Sequence, residues 1–247
     1  MPEFPPGKVL VLISANIEWR AIRRLFRGVS VHSSPYGEWF IEEIRLDGSE
    51  SLPLVFFHGG WGKIAAAAST QYVIDRWSPG LLINLGTCGG FEGEIERGEV
   101  VLVEKTIVYD IIEQMGDYDE HIAHYSTSLD VDWASAGPPI AVRRGLLVSA
   151  DRDLVVEQIP ELKRKYGARA GDWESGAIAY VANRNAVRLL ILRGVTDLVG
   201  SGGGEAYGNL ELFAQKAEEI LAILVDSLPG WLRLAQKAGF LGEVPEG

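Results

Sequence analysis

Three short, almost uninterrupted apolar runs constrain this chain more than any other feature: Lys8 to Ser14, Leu81 to Leu85, and Ala186 to Val195. Runs of this length are strands, and strands without a polar face are buried on both sides. A sheet built from them needs helices on both of its faces, which points to an α/β protein. The intervening segments supply those helices. Ile17 to Phe26 places apolar residues at 17, 21, 22, 25 and 26, the spacing of one helical face. Lys63 to Trp77 is an alanine-rich helix ended by Ser78-Pro79-Gly80, and Leu154 to Tyr166, Glu174 to Arg184 and Leu210 to Leu228 follow. Pro229-Gly230 separates the last of these from a final short helix.

The remaining strands are expected at Val29 to His32, Glu38 to Leu46, Leu52 to Phe57, Glu99 to Val103, Lys105 to Ile112, Ile140 to Ser149 and Ala168 to Trp173. Asp47-Gly48 is a hairpin turn signal. Residues 113–139 read as a long loop with one short helix, and loops of that length in compact domains are usually functional. Strands alternating with helices predict a single-domain, three-layer αβα sandwich around a central mixed, twisted sheet. It spans 1–247, with a core over about 8–228 and a helical tail over 229–247.

Composition narrows the partners. Lys and Arg number 23 against 34 Asp and Glu, a net charge of −11. A surface this acidic repels phosphate backbones, so neither nucleic acid nor an anionic membrane is an expected partner. No run approaches the roughly 18 apolar residues that a spanning helix needs. One cysteine, Cys88, excludes an intramolecular disulfide and suits a reducing compartment, so a cytoplasmic protein is expected. The four histidines show no ligand spacing beyond His121-x-x-His124, which has no acidic companion; no metal is expected.

In α/β sheets ligands bind beyond the carboxyl ends of the strands, where turns expose backbone amides and helix N-termini. That rule selects Ala15 to Glu18, Gly86 to Gly90, Trp173-Glu174 and Thr196-Asp197, and three of these carry an acid. On spacing alone, Asp197 is either a turn aspartate or a partly desolvated acid able to protonate a leaving group. Glu174 is either a helix-dipole residue or a ligand-binding carboxylate. Glu18 has the same two readings, with Asn16 available as the helix cap. Gly86-Thr87-Cys88-Gly89-Gly90 lacks the Walker lysine and the dinucleotide fingerprint. Its glycines allow close backbone approach to ligand oxygens, and Thr87 adds a hydroxyl. Cys88 has no neighbouring base to activate it and reads as a packing residue.

Taken together, the order of elements and several segments resemble the purine nucleoside phosphorylase/nucleosidase superfamily, and within it the 5′-methylthioadenosine/S-adenosylhomocysteine nucleosidases. Gly60-Trp61-Gly62-Lys63-Ile64-Ala65-Ala66-Ala67 resembles the family's G-x-G-K-x-x-A-A helix start. Pro79 to Gly90, with Ile83-Asn84-Leu85-Gly86-Thr87-Cys88-Gly89-Gly90, is similar to its strand and glycine loop, and Arg97 to Val101 to its R/K-x-G-D-V-V element. Trp173 to Ala179 resembles M-E-x-x-A-x-A, and Leu192 to Asp197 the x-R-x-x-S-D segment. The resemblance covers about Lys8 to Leu228 and implies a nucleoside phosphorylase-like fold. It also implies hydrolysis of a purine nucleoside to free base and a ribose derivative, without a cofactor, by a homo-oligomer, most simply a dimer.

Residue by residue, the resemblance makes Asp197 the acid that protonates purine N7, Glu18 the base that activates water and Glu174 the carboxylate on the ribose hydroxyls. It places Trp173, Gly86, Thr87, Arg152, Asp153, Leu154, Arg193 and Thr196 around the substrate. Related phosphorylases carry a phosphate-binding arginine two residues before the first loop glycine; this chain has Asn84 there, which favours water as the nucleophile. Phosphate-dependent cleavage and a catalytically silent nucleoside binder are the alternatives. Two positions depart from the family pattern. Arg152-Asp153-Leu154 stands where an aromatic normally stacks on the base, and Trp173 replaces a methionine, so Arg152 or Trp173 is expected to take over the stacking.

Overall fold

A computed structural model describes residues 9–47 and 50–241. The strands are β1 (Val9–Ile13), β2 (His32–Ser33), β3 (Glu38–Asp47), β4 (Glu50–His58), β5 (Leu81–Phe91), β6 (Val100–Val108), β7 (Ser126–Ser128), β8 (Arg143–Ser149), β9 (Ala170–Asp172), β10 (Arg188–Gly200) and β11 (Gly203–Gly204). The helices are α1 (Asn16–Leu25), α2 (Lys63–Trp77), α3 (Tyr118–His124), α4 (Ile159–Tyr166), α5 (Ser175–Arg184) and α6 (Leu210–Lys237).

The apolar runs behave as strands buried on both faces. In β1, Val9, Val11 and Ile13 join the core under α1 and α6, whereas Leu10 and Leu12 join the core under α2 and α5. Each helix pair packs together on its own side of the sheet. The three-layer arrangement follows from this alternation.

The sheet itself does more than twist. Its strands run β11-β10-β6-β8-β9-β5-β1-β4-β3-β2, and β10 also pairs with β5. Strands β5, β10, β6, β8 and β9 therefore close into a ring, from which β1, β4, β3 and β2 extend as an open wing. Closure depends on the length of β5. Leu81 to Asn84 pair with β1, while Gly89 and Gly90, five residues and more further on, pair with β9. The glycines between and at these contacts let the strand bend from one neighbour to the other.

Several elements differ from the sequence expectation. The separate strands at Glu99 to Val103 and Lys105 to Ile112 are one strand, β6, whose register against β8 shifts between Val103 and Lys105. That irregularity interrupts the apolar alternation and mimics a boundary. The strand expected at Val29 to His32 is only the two-residue β2. Residues 113–139 hold α3, β7 and a 3-10 turn at Asp132–Ser135. Pro229 does not end the last helix, which runs unbroken from Leu210 to Lys237. An interior proline costs about 3 kcal/mol. Leu224, Leu228, Trp231 and Leu232 are fully buried around it, each contributing about 1.5–3 kcal/mol, so packing prevails. The Asp47-Gly48 turn lies partly outside the described residues, as do 1–8 and 242–247; β3 and β4 are nevertheless antiparallel, with Asp47 opposite Glu50.

Helix α6 seals β10 through a glycine. A Cβ at Gly194 would stand 2.2 Å from Cγ2 of Ile220. Gly194→Ala is expected to lower the unfolding free energy by about 1–3 kcal/mol through overpacking. In denaturant titrations its cost should shrink in an Ile220→Ala background. Equal cost in both backgrounds would show that this contact does not set the packing.

Candidate active site

The carboxyl ends of β1, β5, β9 and β10 surround a cavity of about 650 Å3. Its lining includes Glu18, Thr87, Arg152, Asp153, Leu154, Trp173, Glu174, Thr196 and Asp197, residues that arrive from five separate stretches of chain. The three acids are nearly inaccessible: Glu18 is 3%, Glu174 8% and Asp197 7% exposed.

Glu18 reaches this position because α1 starts directly after β1. Ala15, and not Asn16, is the N-cap residue. Glu18 folds back so that Oε2 accepts the Ala15 N–H at 3.1 Å. Its Oε1 accepts the Thr87 N–H at 2.6 Å and the Thr87 hydroxyl at 2.9 Å. The glycine-loop amide expected to meet a ligand oxygen is thus occupied by a carboxylate of the protein.

Gly86 and Arg193 correct the sequence reading. Neither is part of the cavity lining. A Cβ at Gly86 would stand 1.7 Å from Arg193 Nη1 and 2.8 Å from Glu18 Oε1, so the glycine makes room for a guanidinium beneath the loop. Arg193 is 1% exposed. Its Nε donates to Asp172 Oδ2 at 2.8 Å and lies 2.9 Å from Ser175 Oγ, and Nη2 donates to Asn84 Oδ1 at 2.7 Å. Asn84 in turn donates to the Leu12 carbonyl at 2.9 Å. Asp172 also accepts from the Ser149 hydroxyl at 2.6 Å and from the Ser175 N–H. This buried network is the floor of the site, and it holds Arg193 away from the ligand space. Asp172, Ser149 and Ser175 escaped the sequence reading, and Asn84 figured there only as the residue in place of a phosphate-binding arginine. The available signal was Arg193 itself, since a cation within a buried strand requires a buried acid.

Glu174 is the N-cap residue of α5, yet its side chain makes no capping bond. Oε1 instead accepts the Gly62 N–H at 2.9 Å, at the start of α2. The next amide, Lys63 N–H, donates to Asp151 Oδ1 at 2.7 Å. Burial, then repulsion from Asp172 and Glu18, pushes the Glu174 carboxyl up to about 8, with Arg193 acting against the shift.

Asp197 owes its aim to a bulge. The register of β10 against β5 shifts between Val195 and Asp197, so Thr196 is the extra residue. A bulge of this kind redirects a side chain. The Thr196 hydroxyl donates to Asp197 Oδ1 at 2.8 Å.

Aromatic and polar groups complete the walls. Trp173 meets Trp61 edge-on, with ring centroids 5.8 Å apart. Tyr207 also lines the cavity and donates its hydroxyl to the Leu154 carbonyl at 2.9 Å. Neither Trp61 nor Tyr207 carried a sequence signal, because both lie in irregular segments. Cys88 faces the cavity, but burial and the adjacent carboxylates push its thiol up, away from the thiolate form. His121 and His124 sit on α3, where His124 Nε2 lies 3.3 Å from the Tyr180 hydroxyl. Among the described residues no group of three His, Cys, Asp or Glu side chains is placed to hold a metal ion.

The family model for the phosphorylase superfamily matches residues 19–228. A 5′-methylthioadenosine/S-adenosylhomocysteine nucleosidase of Thermotoga maritima is 32% identical over 148 residues, covering 60% of this chain and 67% of that protein. Among solved structures, the apo 5′-methylthioadenosine nucleosidase of Arabidopsis thaliana superposes with a TM-score of 0.73 at 22% identity, covering 98% of each chain. The Colwellia psychrerythraea nucleosidase, solved with adenine, superposes with a TM-score of 0.72 at 21% identity, covering 93% of this chain and 97% of that one. With a sheet that closes around a cavity lined by four buried acids, Glu18, Asp172, Glu174 and Asp197, and a superfamily match over most of its length, this chain belongs to the phosphorylase superfamily.

Proposed function

We propose that the protein hydrolyses the N-glycosidic bond of purine nucleosides of the 5′-methylthioadenosine/S-adenosylhomocysteine type, releasing base and a ribose derivative. The observation that carries this reading is the pairing of Glu18 with Thr87. The Thr87 amide and hydroxyl form a small anion cradle, and the Glu18 carboxylate fills it at 2.6 and 2.9 Å. A phosphate nucleophile would have to displace that carboxylate and would gain no help from Arg193, which is committed to Asp172 and Asn84. A water molecule hydrogen-bonded to Glu18 needs neither.

Cleavage of an N-glycoside passes through an oxocarbenium-like state, with charge leaving on the base and building on the ribose. Asp197 supplies the proton that purine N7 takes as the bond breaks, and Thr196 orients its carboxyl group. Glu18 removes a proton from the attacking water. Glu174 holds the ribose hydroxyls, and its negative form stabilises the cationic ring. Trp173, Arg152, Asp153 and Leu154 border the base and sugar, with Trp173 offering a face for stacking.

The working protein is proposed to be a homodimer in the cytoplasm. Trp61 and Leu210, which line the cavity, are 58% and 69% exposed, and Ile64 on α2 is 85% exposed. Large apolar side chains beside a ligand cavity suit a partner subunit. Cys88 as a free buried thiol is compatible with a reducing compartment. No helix among the described residues is long and apolar enough to cross a membrane.

The test is base release across a panel of adenosine- and inosine-type nucleosides, with and without phosphate. Release from 5′-methylthioadenosine at a rate independent of phosphate is expected. Asp197→Asn should lower kcat by about 10²–10⁴-fold, the usual contribution of a general acid. Glu18→Gln should suppress turnover while binding of a substrate analogue persists in calorimetry. Wild-type turnover in Asp197→Asn, or turnover that requires phosphate, would reject the reading.

Glu174 adds a stability signature. Between its ordinary value of 4.5 and about 8, the folded protein holds a proton that the unfolded chain has released. Stability therefore falls as pH rises through that window. Relative to wild type, Glu174→Gln should become progressively more stable from about pH 5 to pH 8 in denaturant titrations. A constant difference would mean that the carboxyl is not raised.

A further inference from the structure

The strand that carries Asp197 loses one of its neighbours just before the acid. β6 pairs with β10 only at Leu192, Arg193 and Gly194. Val195 is still held on that side, its N–H donating to the Glu99 carbonyl and its carbonyl accepting the Gly98 N–H, both at 2.9 Å. Next comes the bulge at Thr196, and then Asp197 and Leu198, where main-chain pairing to β6 has ended.

Glu205 takes over there. β10 turns back on itself as β11, with Val199 opposite Gly204 and Gly200 opposite Gly203. The next pair in that ladder is Leu198 with Glu205. The Glu205 N–H donates to the Leu198 carbonyl at 3.2 Å, as an antiparallel ladder requires. The reciprocal bond is different: Leu198 N–H donates to the Glu205 side chain, Oε2, at 2.9 Å. A carboxylate stands in for a main-chain carbonyl. Arg97 grips that carboxylate from the turn before β6, its Nε donating to Oε2 at 2.6 Å and its Nη2 to Oε1.

We propose that Glu205, clamped by Arg97, is a positioning residue for Asp197. The Leu198 N–H and the Asp197 carbonyl belong to one planar peptide. β5 pairs with one side of this segment, and fixing that N–H fixes, on the side that β6 has left, the backbone from which the Asp197 side chain departs. The Arg97–Glu205 pair is about half exposed, so as an ion pair it contributes little to stability. Its value lies in orientation, since an acid misplaced by about 1 Å loses much of its catalytic effect.

The inference rests on Asp197 being the proton donor, and the experiment separates the two claims. Steady-state kinetics are compared on 5′-methylthioadenosine, whose base must be protonated to leave, and on 4-nitrophenyl β-D-ribofuranoside, whose phenolate leaves without a proton. Glu205→Ala should lower kcat on the nucleoside about tenfold or more with KM within about twofold, and leave the aryl riboside unaffected. Glu205→Gln, which keeps an acceptor for Leu198 N–H, should recover most of the loss. Asp197→Asn sets the reference pattern: the nucleoside lost, the aryl riboside retained. Equal losses on both substrates, or wild-type kinetics in Glu205→Ala, would overturn the positioning role while leaving Asp197 as the acid. Failure of Asp197→Asn to separate the two substrates would instead remove the assignment on which the inference depends.

Discussion

A fully buried guanidinium, that of Arg193, is the constraint on which the site depends. Such a charge is tolerated only when paired and fully hydrogen-bonded, and removing one partner from a pair of this kind costs about 3–5 kcal/mol. Satisfying Arg193 draws together Asp172 at the end of β9, Ser175 at the start of α5 and Asn84 in β5. Ser149 on β8 joins through Asp172. Together with β10, which carries Arg193, the strands β5, β8 and β9 make up four of the five that close the ring. The same cation requires glycine at position 86 and lies beside Glu18. The charge that organises the floor also moderates the repulsion among Asp172, Glu174 and Glu18.

Much of the architecture was legible in the sequence, because strands buried on both faces and helices of regular spacing leave a periodic record. The acids were legible for a related reason. A carboxylate at the end of an apolar run conflicts with its surroundings and therefore stands out, as Glu18, Glu174 and Asp197 do. What could not be read depended on pairings between distant segments. Closure of the ring needs β5 to change partners after Asn84, and nothing local to Leu81–Phe91 announces which strand comes next. Gly86 looked like a ligand-approach glycine; only the position of Arg193, more than a hundred residues away, reveals that it accommodates a side chain. Pro229 looked like a helix end because local propensity cannot register the burial of Trp231 and Leu232. Tyr207 and Trp61 sit in irregular segments where no period exists to break.

The three acids divide their labour through their surroundings. Glu18 receives three donors and borders the cavity beside Thr87. Asp197 receives one hydroxyl hydrogen bond, from Thr196, and lines the cavity. Glu174, buried and crowded by like charges, has its carboxyl pushed up to about 8. Groups of one chemical type thus sit in different surroundings within one cavity, as the proposed acid–base cleavage of a glycoside requires.

The central claim is that Glu18 has taken the place of a phosphate nucleophile at Thr87, so that water attacks the sugar. Phosphorus NMR of a complete turnover of 5′-methylthioadenosine in phosphate buffer addresses it directly. The account predicts one equivalent of free sugar for each adenine released and no new phosphate-ester resonance. A sugar 1-phosphate formed in step with adenine would contradict it.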